Sequence, residues 1–294
     1  MTGDTRHEMC AGTGDAGCGV TVCMPAWCLA TVLLVLATLM VGAQGASAAD
    51  HPASPERAAP GRREPDPRRS GSLDMSPALQ AMQADDNQNP AQLWVASGRE
   101  RWRAECTSCH GEVERAMRGV AARYPARDAS SGRVLTLNQR IRACRGRAGG
   151  ADVAGRDGAE SEPVLALQAL VGLQSRGLPI LPGRDAMSDA FASQGEHLFK
   201  RRMGALELSC ADCHEARAGL RLGGSVIPQG HPTGYPLYRL EWQGLGSLGR
   251  RLRACVVGVR AMPFAPDSDE ALALEVYLSR RAAGMVMDAP GLRP

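Results

Sequence analysis

Ser209-Cys210-Ala211-Asp212-Cys213-His214 is followed, 41 residues beyond the histidine, by the end of Arg251-Leu252-Arg253-Ala254-Cys255, and then by Arg260-Ala261-Met262-Pro263-Phe264. The fold is read from this stretch. C-x-x-C-H is the signature of covalent c-type haem attachment: two thiols form thioethers with the haem vinyl groups, and the adjacent histidine ligates the iron from one side. The motif occurs again at Cys106-Thr107-Ser108-Cys109-His110. A zinc or redox C-x-x-C pair is the competing reading. Two copies, each with His immediately after and with matched flanks, point to haem.

The flanks define a repeat. Gly98-Arg99-Glu100 stands before the first motif and Gly195-Glu196 before the second. Gln139-Arg140-Ile141-Arg142-Ala143-Cys144 after the first matches Arg250-Arg251-Leu252-Arg253-Ala254-Cys255 after the second. Counterparts lie 97 residues apart at Gly98 and Gly195, 104 at Cys106 and Cys210, and 111 at Cys144 and Cys255. This growth through short insertions is what a duplicated domain shows. Apolar residues at 164, 165, 167, 170, 171 and 173 predict a core-facing helix over Glu162–Leu173. Asp269–Arg280 predicts a last helix that packs on the helix leading into the second motif. Val113–Val120 and Asn138–Cys144 also read as helices, and the glycines of 146–158 as a loop. The expected architecture is mainly α, with two similar haem-binding halves at residues 75–176 and 194–294. Pro179 and Pro182 mark an interdomain linker over 177–193. Pro, Arg, Ala and Ser dominate 49–74, which reads as a disordered linker.

The chain of 294 residues is 44% hydrophobic but only 4% aromatic. A buried haem, large and flat, takes over part of the core-filling role of the missing rings. A net charge of +3 is too small to argue for nucleic acid. Residues 26–43 are an apolar run and Ala46-Ser47-Ala48 has small residues where a signal peptidase reads, so residues 1–48 are expected to be a cleaved secretory signal, with a mature chain from Ala49 in the periplasm. A retained anchor is the alternative. Cleavage discards four of the ten cysteines (Cys10, Cys18, Cys23, Cys28), and the haem motifs take four more.

Cys144 and Cys255 remain. One reading pairs them in a disulfide, which an oxidising compartment permits. The other makes each a thiolate ligand to its own haem iron. The shared R-x-R-A-C frame favours the second, because a neighbouring arginine lowers a thiol pKa. Methionine is the common distal ligand, and Met262, Met285 and Met287 lie downstream. Arg251 stands one helical turn before Cys255, placed to stabilise a thiolate or bind an anion. Arg140 holds the same place before Cys144, so position alone does not single out substrate binding; a salt-bridged or solvated arginine is the ordinary alternative. His197 and His231 have no motif context and read as structural histidines.

Three stretches carry a family resemblance: MQADDNQNPAQLWVASGRERW, LSCADCHEARAGLRLGGSVIPQGHPTGYPLYRLEWQGLGSLGRRLRACVVGVRAMPF and SDEALALEVYLSRRAAGMVMDAPGLRP. Over about residues 75–294 the chain resembles SoxA, the dihaem subunit of the SoxAX cytochromes of bacterial sulfur oxidation. The resemblance implies two cytochrome c-like haem domains. Haem 1 would be held by Cys106 and Cys109 and ligated by His110 and Cys144; haem 2 would be held by Cys210 and Cys213 and ligated by His214 and Cys255. It implies that Cys255 is the active-site residue, modified to a persulfide, and that Arg251 binds substrate. The implied activity is that of an L-cysteine S-thiosulfotransferase: thiosulfate is joined oxidatively to a cysteine of the SoxYZ carrier. Electrons would leave through haem to a SoxX-like monohaem cytochrome c and a soluble cytochrome c. The competing functions are a periplasmic dihaem electron carrier without sulfur chemistry, a dihaem peroxidase-like enzyme, and a docking partner for another cytochrome.

Overall fold

Two pairs of crossed helices build the structure, and each pair meets at a glycine. The computed structural model describes residues 66–147 and 158–294. The leader with its cysteines, residues 49–65 of the expected linker, and residues 148–157 of the glycine-rich loop lie outside the described residues. Among the described residues the helices are α1 (Pro77–Ala84), α2 (Gln92–Glu105), α3 (Thr107–His110), α4 (Val113–Ala116), α5 (Leu137–Arg147), α6 (Glu162–Leu173), α7 (Ala186–Lys200), α8 (Cys210–His214), α9 (Leu248–Gly258) and α10 (Asp269–Arg281). None of them is long and apolar enough to cross a membrane.

In the first half α2 crosses α6, and in the second α7 crosses α10. A Cβ on Gly98 would collide with the carbonyl oxygen of Ala166; on Gly195 it would collide with that of Ala273. Only glycine allows this backbone approach, which gives a physical reason for the repeated Gly before each haem motif. The expected packing of the last helix on the helix before the second motif is thus observed. Nine consecutive residues of α6, Val164–Gly172, are buried, as befits a helix apolar on all sides. The ends of α10 are tuned to its dipole: Ser268 caps the N-terminus, Asp269 and Glu270 occupy the first turn, and Arg280 and Arg281 the last.

Between the crossed helices, a short antiparallel strand pair leads into a capped helix in each half. β1 (Ala126–Arg127) pairs with β2 (Val134–Leu135), and 111 residues later β5 (Leu237–Arg239) pairs with β6 (Gly244–Gly246). Ala126 faces Leu135 and Leu237 faces Gly246, so the two registers coincide. The Thr136 hydroxyl then accepts from the Gln139 amide (3.1 Å) at the start of α5, and the Ser247 hydroxyl from the Arg250 amide (3.1 Å) at the start of α9. The C-terminal strand β7 (Gly291–Arg293) lies parallel to β5. A separate hairpin joins β3 (Arg221–Leu222) to β4 (Ser225–Val226).

Three expectations are corrected. Residues 66–74 are ordered. The Arg68 guanidinium donates to the carbonyls of Arg281 (2.8 Å) and Ala283 (3.0 Å), and the Ser70 hydroxyl to Asp288 (2.9 Å), before a 3-10 turn at Gly71–Asp74. The expected linker 177–193 is also built in. Gly177 and Ile180 donate to the carbonyls of Met287 and Met285 (both 2.9 Å), and α7 already starts at Ala186, capped by Asp185. The helix expected over Val113–Val120 ends at Ala116, where the chain turns through Gly119 at φ 70° into a 3-10 turn at Ala121–Arg123. Both halves belong to one compact unit, Arg63–Pro294. Leu245, Ala282, Met287 and Ala289 of the second half share a core with Val95, Trp102, Leu167 and Leu170 of the first.

The start of α9 is fastened to the first half by an acid. Glu160 accepts from the Ser247 amide (3.3 Å) and, more tightly, from its hydroxyl. Nearby Glu275 is enclosed, and its carboxyl is pushed up to about 8 by burial, then by the charges of Glu160 and Asp267. Its proton is bound in the folded state and released on unfolding between the ordinary value of 4.5 and about 8. The stability tied to this proton is therefore complete below 4.5 and lost as pH rises to about 8. Glu275→Gln should remove that part of the fall, so that the variant gains on the parent in denaturant midpoint as pH rises from 5 to 9. Gly195→Val should destabilise by about 1–3 kcal/mol through overpacking, read as a fall in Tm of roughly 2–4 °C per kcal/mol. Gly258→Ala, with no atom within 4 Å of the added Cβ, is the control and should leave Tm unchanged.

Candidate active site at the second C-x-x-C-H turn

Capping holds the second motif in shape. The Ser209 hydroxyl accepts from the Asp212 amide (3.1 Å) while Asp212 accepts from the Ser209 amide (2.9 Å), a reciprocal box that closes the single turn α8 around Cys210, Cys213 and His214. His214 is fixed from behind. Its Nδ1 lies 2.8 Å from the Pro228 carbonyl, leaving Nε2 for a metal. Gly230 has a left-handed backbone at φ 75°, and a Cβ there would sit 3.2 Å from the imidazole, so the loop can rest on the ring only with glycine in place. Burial lowers the His214 pKa, with Arg251 and Arg281 adding to it, which keeps the ring in the neutral form that ligates.

Cys210, His214, Arg251 and Cys255 line one cavity of about 570 Å³. This lies in the size range of sites that enclose a cofactor. Its apolar side is Phe199, Leu252, Leu274 and Leu278, against which Cys210 packs. Its polar side holds Tyr235, Arg239, Arg251 and Arg293. The residues fit a c-type haem: two thiols and a fixed imidazole on one turn, apolar surface for the ring, and a further thiol from α9 in the same space. The Cys210 thiol is pushed up to about 11 by burial and then by Cys255. Tyr235 is pushed up to about 12 by burial.

The first motif has the same parts in a more open setting. Cys109 and His110 are exposed, and the His110 ring leans on Trp102 with centroids 5.6 Å apart. The Cys106 thiol is pushed up to about 11 by burial, then by Glu105 and by Cys144, and the Arg145–Glu105 pair at 2.8 Å holds the Cys144 stretch of α5 against the end of α2 next to the first motif. Cys144 and Cys255 are both free thiols, each associated with a different C-x-x-C-H turn, so the disulfide reading is not supported. The methionines are elsewhere: Met262 is 89% exposed, and Met285 and Met287 pack in the core shared with the first half.

The two arginines that the sequence left equivalent differ in their surroundings. Arg140 is paired with Asp128 at 2.9 Å. Arg251 makes no side-chain hydrogen bond or ion pair among the described residues and faces the cavity with Cys255. Sequence reading missed three cavity residues. His231, taken as an ordinary histidine, lines the cavity and is lowered to about 4 by burial, then by Arg281 and Arg68. Tyr235 and Arg239 were passed over, although Tyr235 repeats Tyr124 at the 111-residue spacing of the two thiols, which was a usable signal.

The SoxA/TsdA cytochrome c domain family model matches residues 90–180 and 194–287. The chain is 34% identical over 235 residues to the L-cysteine S-thiosulfotransferase subunit SoxA of Rhodovulum sulfidophilum, covering 76% of this chain and 80% of that one. To the SoxA subunit of Paracoccus pantotrophus it is 31% identical over 219 residues, covering 72% and 74%. The crystal structure of SoxXA from P. pantotrophus superposes with a TM-score of 0.73 at 30% identity, over 77% of this chain and 87% of that one. With matches of this extent to both of its halves, the chain belongs to the SoxA branch of the SoxA/TsdA family of c-type cytochromes.

Proposed function

We propose that this protein is the catalytic subunit of an L-cysteine S-thiosulfotransferase, which joins thiosulfate to a cysteine of a SoxYZ-type carrier in bacterial sulfur oxidation. The observation that carries this reading is Arg251, unpaired among the described residues and lining one cavity with Cys255, where the equivalent Arg140 is neutralised by Asp128. A charge left without a partner in an enclosed site is poised for an anionic ligand, and a guanidinium fork matches the sulfonate oxygens of thiosulfate. Arg251 holds and orients the dianion. Cys255, carrying a persulfide, bonds through its outer sulfur to thiosulfate as two electrons leave, and the carrier thiol then takes over the thiosulfate group by exchange of thiol–disulfide type, losing its proton and returning the persulfide. In the whole reaction the S–S bond joins the carrier sulfur to thiosulfate; the thiol and the dianion give the S-thiosulfonate, one proton and two electrons.

In this reading there are two haem c groups. Cys106, Cys109, His110 and Cys144 hold the first, and Cys210, Cys213, His214 and Cys255 the second. Haem supplies the one-electron acceptors for the oxidation and holds the cysteine sulfur. His214 keeps its orientation through the Pro228 carbonyl. A SoxX-like monohaem cytochrome c is the expected permanent partner and a soluble cytochrome c the acceptor, with the mature chain in the periplasm. The plain electron-carrier reading needs a methionine or a second histidine at the iron; Met262, Met285 and Met287 are not among the residues lining the cavity, whereas His231 is, and a spectrum with only His/Met or His/His signals would favour the carrier.

Intact mass of the purified protein should show two covalent haems and, on the Cys255 peptide, an extra sulfur of about 32 Da. Cys255→Ala should keep both haems, abolish thiosulfate-dependent cytochrome reduction, and remove one thiolate-ligated low-spin signal from the electron paramagnetic resonance spectrum. Full turnover in that variant would sink the proposal. Arg251→Ala should lower kcat/KM for thiosulfate by roughly 10- to 100-fold, the worth of one charge-assisted contact.

A further inference from the structure

Residues 124–144 and 235–255 align without a gap. Tyr124 matches Tyr235, the strand registers coincide, Thr136 and Ser247 cap equivalent helices, and Cys144 matches Cys255. Within this common frame position 128 corresponds to 239, and the residue changes from Asp to Arg. The backbone confirms the match. The Asp128 amide donates to the Arg133 carbonyl (2.8 Å), and Arg239 is the strand partner of Gly244, the counterpart of Arg133.

In the first half this position neutralises the arginine before the cysteine, through the Asp128–Arg140 pair. In the second half it puts a second cation beside Arg251. Arg239 lines the same cavity, its side chain is 13% exposed, and Arg251 is the leading charge acting on it, lowering its pKa after burial itself. Asp74, His214, Arg221, His231 and Arg293 line the same cavity, and Asp74 Oδ2 and nearby Asp288 Oδ1 are buried without a hydrogen-bond partner among the described residues. Glu241, half exposed, takes the Nε edge of Arg239 at 2.8 Å. Asp74 pairs with Arg69 at 2.9 Å. Asp288 accepts from Ser70, and Arg293 donates to Gln83 at 2.7 Å. Two guanidiniums that line one cavity repel each other, a cost that an anion held between them offsets.

We propose that Arg239 and Arg251 together form a two-guanidinium site for an oxyanion, created by the exchange of Asp for Arg at the position that silences the first half. The ligand class is a sulfonate or carboxylate, and thiosulfate is the free form. This rests on the function proposed above. The carboxylates of a haem side chain present the same chemistry, and they lie on the ring edge away from the vinyl groups that Cys210 and Cys213 would take.

The test uses the purified complex with Arg239→Gln, Arg239→Lys and Arg239→Asp. Calorimetric titration with thiosulfate and steady-state turnover are measured alongside the haem propionate bending band in resonance Raman spectra. Arg239→Gln is expected to weaken thiosulfate binding and raise KM at least about tenfold, with kcat within about threefold. Arg239→Lys should recover most of the loss. Arg239→Asp should match Arg251→Ala, because the new carboxylate captures Arg251 as Asp128 captures Arg140. An unmoved propionate band places the free anion in the site; a shifted band with unchanged KM places haem carboxylates there. The proposal is overturned if Arg239→Gln and Arg239→Asp leave affinity, KM and band all as in the parent. A parent that binds thiosulfate without turning it over would sink the functional reading and leave the calorimetric test of the arginine pair standing.

Discussion

Backbone-to-backbone contact at Gly98 and Gly195 is the constraint from which the rest follows. With no Cβ, each glycine lets one helix settle onto a carbonyl of its partner, Ala166 or Ala273. That contact seats α2 and α7 on their partners; α2 runs straight into the first C-x-x-C-H turn, while Arg201–Ser209 connect α7 to the second. It also decides what stands beside the turn. Phe199, one turn after Gly195 and 1% exposed, joins Leu274 and Leu278 of α10 in an apolar wall, and the Arg281 guanidinium covers the Phe199 ring at 4.8 Å. The cavity is thus a by-product of a helix crossing, furnished afterwards by side chains.

One backbone frame supports two electrostatic outcomes. Around Cys144 the charges cancel: Asp128 accepts from Ser130 and Ser131 and pairs with Arg140, and its carboxyl is held at about 2 by those hydrogen bonds. Around Cys255 they do not cancel: Arg239, Arg251 and Arg293 line one cavity, and Arg251 has no carboxylate partner among the described residues. A protein gives up stability in this way at a site reserved for a ligand. The difference between the halves lies in a few side chains on shared geometry, as expected when a duplicated unit keeps its fold and changes its chemistry.

The readable parts of the sequence were those whose physics is local. C-x-x-C-H states its own chemistry, the thiol frame was visible as a repeat, and the apolar run of α6 needed only periodicity. Residues 66–74 and 177–193 were misread because composition reports how much apolar surface a segment can bury. These segments are held instead by backbone amides and by Arg68, reaching more than two hundred residues along the chain. Strands of two or three residues carry no alternation, so the β1–β2 and β5–β6 pairs left no pattern to find. Arg140 and Arg251 were indistinguishable because the residue that separates them, at 128 or 239, is a dozen positions away and is brought near only by the fold of the hairpin.

The first half is more than a remnant of duplication. Ala289 and Ala282 of the second half are fully buried, and they lie in the same cluster as Leu170 and Ala169 of α6. Glu160 holds the cap of the helix that carries Cys255, and Arg142, 9% exposed, reaches Asp267 just before α10. Removing the first half would bare this core face and release both ends of the active-site framework. The turn of Cys106 and Cys109 is therefore part of the same scaffold as the helix that carries Cys255. The site at Cys255 is a property of both halves, though every residue lining its cavity comes from the second half or from Gly71, Asp74, Met75, Ser76 and Leu79, at and just before the start of α1.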